Sequence, residues 1–192
     1  MAQDREKLKM TWPNRLTLFR IVLVPVFAIV LLEYTREQDG LRYIALVIFA
    51  IAGATDAVDG VLARAWNQKT EFGQLLDPLA DKVLINVAFI FLAAQRQLPI
   101  VIPKWIPVVI LGRDMIIVMG AWFMNEVQGL TNIRPRVIGK ITTFFQTVSV
   151  LVVLLGWQMS QWLLLITVGF TVISLFDYLW FGTRKVVESG TA

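Results

Sequence analysis

Six apolar runs, at residues 15–33, 41–63, 75–95, 101–124, 137–156 and 160–182, constrain this chain more than any other feature. Each approaches or exceeds the roughly 20 residues an α-helix needs to cross a hydrocarbon layer. Between them lie segments rich in charge and turn formers: "EYTREQDG", "NQKTEFG", "QRQLPIVIPK", "NEVQGLTNIRPR" and the tight "GWQMSQ". Where water is absent, a backbone must satisfy its own polar groups, and helices do so within one segment. The pattern therefore predicts an all-α polytopic membrane protein with six transmembrane helices, built as one domain over residues 1–192. No internal repeat or low-complexity segment interrupts it. With 57% hydrophobic and 17% charged residues, the chain is too apolar for an ordinary soluble domain of this length.

The opening "MAQDREKLKMTW" has the charge of a signal-peptide start, but the apolar run after it is too long and lacks a small-residue cleavage site, so a retained first helix is expected. Leu8, Met10 and Trp12 among those charges fit a short interfacial segment on the inner leaflet, with simple disorder as the alternative. Orientation follows from Lys and Arg. With the N-terminus cytoplasmic, twelve fall on the inner side (Arg5, Lys7, Lys9, Arg15, Arg20, Arg64, Lys69, Arg134, Arg136, Lys140, Arg184 and Lys185) and four on the outer (Arg36, Arg42, Arg96 and Lys104). Both termini are thus expected in the cytoplasm, at an inner (plasma) membrane of bacterial type. A formal charge of +4 then reads as loop bias toward anionic lipid rather than nucleic-acid binding.

The chain contains no cysteine and no histidine. Thiolate nucleophiles, disulfides, imidazole bases and zinc sites of His or Cys are excluded, which leaves carboxylates, hydroxyls, Lys/Arg and bound ions for any chemistry. Against that background stands "DAVDGVLARAWNQKTEFGQLLDPLAD", residues 56 to 81, with four aspartates in or beside apolar runs. A carboxylate at the centre of a bilayer-spanning helix costs roughly 2.5–3.5 kcal/mol on insertion scales. Asp56, Asp59, Gly60 and Ala63 recur at the spacing of one helical face, and Gly73, Asp77 and Asp81 recur every four residues. A short loop, roughly residues 65 to 72, would join the two helices as an antiparallel pair and let the four acids converge at the cytoplasmic end. Gly60 and Ala63 have almost no side chain, so a ligand can approach the backbone.

Four converging carboxylates need compensating charge. Oxygen donors without His or Cys suit a hard divalent cation, and two Mg2+ or Mn2+ ions would balance four acids. Mg2+ commonly shares its coordination with substrate phosphates, and Arg64 stands beside the small-residue face, so a phosphate ester is the expected ligand. Other readings are structural aspartates paired with Lys82 and Arg64, an intramembrane aspartyl protease, and an ion-coupled transporter. The protease leaves two acids unexplained, and the transporter needs ionisable groups in the outer halves of the spans, where few occur.

The spacing Asp56-x2-Asp59-Gly60-x2-Ala63-Arg64-x8-Gly73-x3-Asp77-x3-Asp81 resembles, at all eight fixed positions, the signature of the CDP-alcohol phosphotransferase family. "PNRLTLFRIVLVP", "DPLADK" and "IGKITT" look like the phosphatidylglycerophosphate synthase and cardiolipin synthase branches, so the resemblance covers most of the chain. It implies six transmembrane helices, a homodimer among membrane lipids, and an active site at the cytosolic face. By position, Asp56, Asp59 and Asp77 would ligate the metal ions, and Asp81 would complete that site and act as catalytic base. Asp56, Gly60, Ala63, Arg64 and Gly73 would surround the CDP moiety of CDP-diacylglycerol. The implied reaction is attack of an acceptor hydroxyl on the lipid-bearing phosphorus, with CMP leaving.

For the acceptor, Arg113 inside the fourth run, with Arg134, Arg136 and Lys140 near the start of the fifth, suits a phosphate-bearing molecule. Glycerol 3-phosphate is the first choice. Members that use it often carry Arg-Glu where this chain has Arg113-Asp114, and some that use phosphatidylglycerol carry Arg-Asp, so phosphatidylglycerol is the alternative, with inositol phosphate and serine beyond it. Pro78 either kinks the third helix and aims Asp77, or marks that helix's first turn.

Overall fold

The computed structural model describes residues 12–66, 71–128 and 137–190, with side chains over 18–55, 82–120 and 137–181. Within these residues there are six α-helices, one 3-10 turn and no strand. The chain forms two compact units, residues 1–101 and 102–192.

The first unit holds α1 (Trp12–Leu32), a 3-10 turn (Arg36–Gln38), α2 (Gly40–Trp66) and α3 (Glu71–Ala94). Val24, Phe27, Ala28 and Leu31 of α1 are buried at helical spacing, as are Ala45, Phe49 and Ala52 of α2 and Leu84, Ala88, Phe89 and Leu92 of α3. α1 packs against both other helices. The Phe27 and Phe49 rings meet tilted, 5.7 Å apart, while the alanines of α2 and α3 let the helices close around them. The other side of α1 is also apolar, with Leu18, Phe19, Val22, Ile29 and Leu32 exposed.

One end of this unit is tied by side chains. Gln95 Nε2 donates to the carbonyls of Leu31 and Tyr34 at 2.8 and 3.0 Å, so α1 ends on an amide supplied by the residue after α3. Arg36 donates through its backbone N–H and Nε to the Oε1 and carbonyl of Gln97. Asp39, just before α2, accepts from Arg42 Nε at 2.8 Å and Nη2 at 2.7 Å, a two-pronged pair, and from the Tyr34 hydroxyl at 3.2 Å. The Arg42 bonds hold the Asp39 carboxyl below its ordinary pKa. Burial, reinforced by the Asp39 carboxylate, pushes the Tyr34 hydroxyl above its own.

The second unit holds α4 (Trp105–Gln128), α5 (Val137–Leu155) and α6 (Ser160–Gly190). The α5–α6 turn is set by Gly156, whose φ of 73° is open to glycine and strained for other residues. The Gly156 N–H donates to the Val153 carbonyl and the Trp157 N–H to the Val152 carbonyl, the paired bonds of a Schellman C-cap, and α6 begins at Ser160. Among the described residues two helices are long and apolar enough to cross a membrane, Val137–Leu155 and Ser160–Phe181, with shorter apolar stretches at Leu18–Leu32, Gly40–Thr55 and Lys82–Ala94.

The helices follow the order of the apolar runs but not their limits. α4 continues to Gln128 and α6 to Gly190, beyond the expected 124 and 182, because hydropathy ends where charge begins whereas a helix ends at a breaker. Only residues 67–70 separate α2 from α3, fewer than the loop of 65 to 72 expected. Pro78 lies well inside α3 rather than in its first turn. The interfacial reading of residues 1–11 falls outside the described residues.

Candidate functional site

The four signature aspartates divide between two consecutive helices. Asp56, Asp59, Gly60, Ala63 and Arg64 occupy the last turns of α2, and Gly73, Asp77 and Asp81 the first half of α3. The three- and four-residue spacings therefore fall on helical backbone, where such positions share a face. The side chains of residues 56–81 lie outside the described ones. The donor set itself fits a hard divalent cation: four carboxylates, with neither His nor Cys anywhere in the chain to favour a softer metal.

The second candidate element is a buried polar seam of the second unit. Thr142, Gln146 and Ser149 recur at intervals of four and three along α5, and Ser160, Thr167, Thr171 and Ser174 mark the facing stripe of α6. The Ser149 and Thr167 hydroxyls lie 2.7 Å apart, Thr142 Oγ1 donates to the Phe170 carbonyl at 3.2 Å, and Thr171 Oγ1 donates back to the Thr167 carbonyl at 2.7 Å. Small side chains admit this closeness, and Phe145 stacks on Phe170 with ring centroids 4.7 Å apart beside it.

Arg113 of α4 belongs to the same unit and is 5% exposed, as is Asp114. Its Nη1 donates to Asp114 Oδ1 at 2.7 Å, and its Nη2 to Ser174 Oγ at 2.5 Å. Burying an unpaired guanidinium costs several kcal/mol, so the carboxylate and hydroxyl are what allow it there. The guanidinium also packs on α5, where a Cβ added at Gly139 would stand 3.5 Å from Arg113 Nη2, an ordinary contact. The Nε of Arg113 is buried and has no hydrogen-bond partner among the described residues. The Nε–H of a fixed cation therefore remains available.

Of the other cations expected to meet the acceptor, Lys140 lies near the start of α5 and is exposed, and Arg134 and Arg136 fall outside the described residues. The sequence identified Asp114 as the neighbour of Arg113 but missed Ser174 and Gly139. The one available signal was Ser174 continuing the Thr167 and Thr171 stripe. An open groove of about 610 Å³ is lined, among the described residues, by Ile138, Ile173, Phe176, Asp177, Leu179 and Trp180, and these wall it mainly with apolar atoms.

The family model described as CDP-alcohol phosphatidyltransferase matches residues 10–173. A CDP-diacylglycerol–glycerol-3-phosphate 3-phosphatidyltransferase of Bacillus subtilis is 35% identical, covering 86% of this chain and 92% of the relative. Its namesake from Escherichia coli K12 is 33% identical over 87% and 92%. A probable phosphatidylglycerophosphate synthase of Mycobacterium tuberculosis is 40% identical over 71% of this chain and 62% of its own length.

Proposed function

The chain belongs to the CDP-alcohol phosphatidyltransferase family, and on that premise we propose that it transfers the phosphatidyl group of CDP-diacylglycerol to glycerol 3-phosphate in phospholipid biosynthesis. One observation carries the reading: the family match spans all eight signature residues, and the relatives from B. subtilis and E. coli are named for this transfer. The six apolar helices would span the membrane with both termini and the site on the cytoplasmic face, and the enzyme would work as a homodimer.

In this reading Asp56, Asp59, Asp77 and Asp81 would hold two Mg2+ or Mn2+ ions, which when bound would supply charge neutralisation for the transferring phosphoryl group. Gly60, Ala63 and Gly73 leave the backbones of α2 and α3 open to the CDP moiety, and Arg64 faces its phosphates. Arg113 and Lys140, with Arg134 and Arg136, orient the acceptor through its phosphate. Asp81 takes the proton from the acceptor hydroxyl as that oxygen bonds to the lipid-bearing phosphorus. The bond from this phosphorus to the bridging oxygen breaks, and CMP departs with the electron pair. A positioned base contributes on the order of 10²- to 10⁴-fold.

A second acceptor, phosphatidylglycerol, is favoured by one feature. The charge of Arg113 is already countered by Asp114, which suits a monoanionic diester better than a dianion. Purified protein incubated with CDP-diacylglycerol, Mg2+ and each acceptor decides, with the lipid product identified by mass spectrometry. Phosphatidylglycerophosphate is expected. Cardiolipin in its place establishes the second acceptor, and no acceptor-dependent CMP release with any of the candidate acceptors overturns the transferase reading, and flux into sealed vesicles then separates a transporter from an inactive scaffold.

A further inference from the structure

Tyr178 of α6 carries a hydroxyl that is buried and has no hydrogen-bond partner among the described residues. Its ring lies against Gly120 of α4, where an added Cβ would stand 3.0 Å from both Cε1 and the hydroxyl oxygen. Only a glycine lets the phenol seat this close without displacing it. A phenylalanine would pack as well and avoid the cost of a stranded polar group, so a buried unpaired hydroxyl calls for an explanation.

The position of Tyr178 supplies one. It stands one helical turn beyond Ser174, the residue that accepts from Arg113 Nη2, and Gly120 stands two turns beyond Arg113 on α4. Two buried donors without a partner among the described residues, Arg113 Nε and the Tyr178 hydroxyl, therefore belong to the same α4–α6 packing, their contact points one turn apart along α6 and two along α4. Both groups can donate to an anion, and neither has a hydrogen-bond partner among the described residues. We infer that the Tyr178 hydroxyl is a second donor to the acceptor's phosphate, working beside Arg113 Nε, and that Gly120 is the residue that admits it. The inference rests on the reading that Arg113 binds the acceptor and adds a residue that discriminates phosphate-bearing acceptors from neutral alcohols.

Tyr178→Phe removes the hydroxyl and nothing else. In the full-length enzyme in detergent–lipid micelles with Mg2+, it is expected to raise the KM for glycerol 3-phosphate by roughly ten- to a hundredfold, the effect of losing one donor to a charged group. The KM for CDP-diacylglycerol and the melting temperature should stay at wild-type values or, for the latter, rise. Gly120→Ala, which displaces the ring, should move the same KM in the same direction, and the double variant should add little to Tyr178→Phe. Arg113→Lys separates the two levels of argument. If it raises the glycerol 3-phosphate KM while Tyr178→Phe does not, the inference about Tyr178 is wrong and the acceptor site stands. If Arg113→Lys leaves that KM unchanged, the acceptor site itself is misplaced. A fall in melting temperature without a KM change in Tyr178→Phe assigns the tyrosine to packing alone and overturns the inference.

Discussion

Arg113 of α4 donates through Nη2 to the Ser174 hydroxyl of α6 at 2.5 Å, joining two helices 61 positions apart in the chain at this point. Asp114 supplies the countercharge from the adjacent position. The three form one unit, so removing one member does not have the same effect as removing two. Asp114→Asn leaves a buried guanidinium without its anion and should cost about 3–5 kcal/mol of stability, whereas Arg113→Met combined with Asp114→Leu should be near neutral. Ser174→Ala loses one bond to a charged donor, about 1.5–3 kcal/mol. Denaturation of the purified variants measures all three. A double variant that loses as much stability as Asp114→Asn alone would mean that the stranded guanidinium is not what costs stability.

A different pair should respond to pH. Asp39 is held below its ordinary pKa of 3.8 chiefly by its bonds from Arg42. A carboxyl with a depressed folded-state pKa stabilises the fold above its unfolded value, and that contribution fades as pH falls through the folded value. The stability gap between wild type and Asp39→Asn should therefore be constant between about pH 5 and 7 and close below the ordinary value of 3.8. Gln97→Ala is the control: its bonds with Arg36 involve no group that titrates in this range, so its effect should not change with pH. A gap for Asp39→Asn that persists unchanged into acid would remove the ion pair from the account.

These relationships differ in how far the sequence announced them. Six helices in order were legible because apolar runs and turn formers alternate at membrane-spanning lengths, and the "GWQMSQ" turn was legible because a glycine followed the last apolar residue of α5. Asp114 was visible as a partner because it is the next residue. Ser174 was not, since it lies 61 positions from Arg113 and only the packing of α4 on α6 brings them together. Gln95 as the cap of α1 was hidden for the same reason, 64 positions from Leu31. Helix ends were misjudged where α4 and α6 run on through charged and polar residues, because hydropathy falls there whereas the helix continues until a breaker. The signature aspartates were legible as a pattern of spacing, and the helices of α2 and α3 place that spacing on regular backbone.

Orientation is open to a direct check, because a chain without cysteine accepts single labels on a clean background. Glu37 in the 3-10 turn and Met159 in the α5–α6 turn are exposed and lie at ends expected outside the cytoplasm. Cysteines there should react with impermeant thiol reagents only from the outer side. Cysteines replacing Lys69 and Arg136 should react only from the cytoplasmic side, as the excess of Lys and Arg on those segments requires. The reverse labelling would place the aspartates on the face away from CDP-lipid made inside the cell.

The roles assigned to the aspartates separate by what each loss leaves behind. Asp81→Asn removes the proton acceptor but keeps an oxygen at the position and three further carboxylates, so turnover should fall on the order of 10²- to 10⁴-fold while CDP-diacylglycerol still binds. Asp59→Ala removes a ligand outright, and should shift the Mg2+ dependence to higher concentration and weaken nucleotide binding with it. Rate constants from single-turnover assays, set beside CDP-diacylglycerol binding at several Mg2+ concentrations, distinguish the two. Near wild-type turnover in Asp81→Asn would move the base elsewhere, and an unaltered Mg2+ requirement in Asp59→Ala would remove that residue from the metal site. Both variants failing in the same way, with binding and turnover lost together, would make Asp81 a metal ligand whose contribution as a base is not separable.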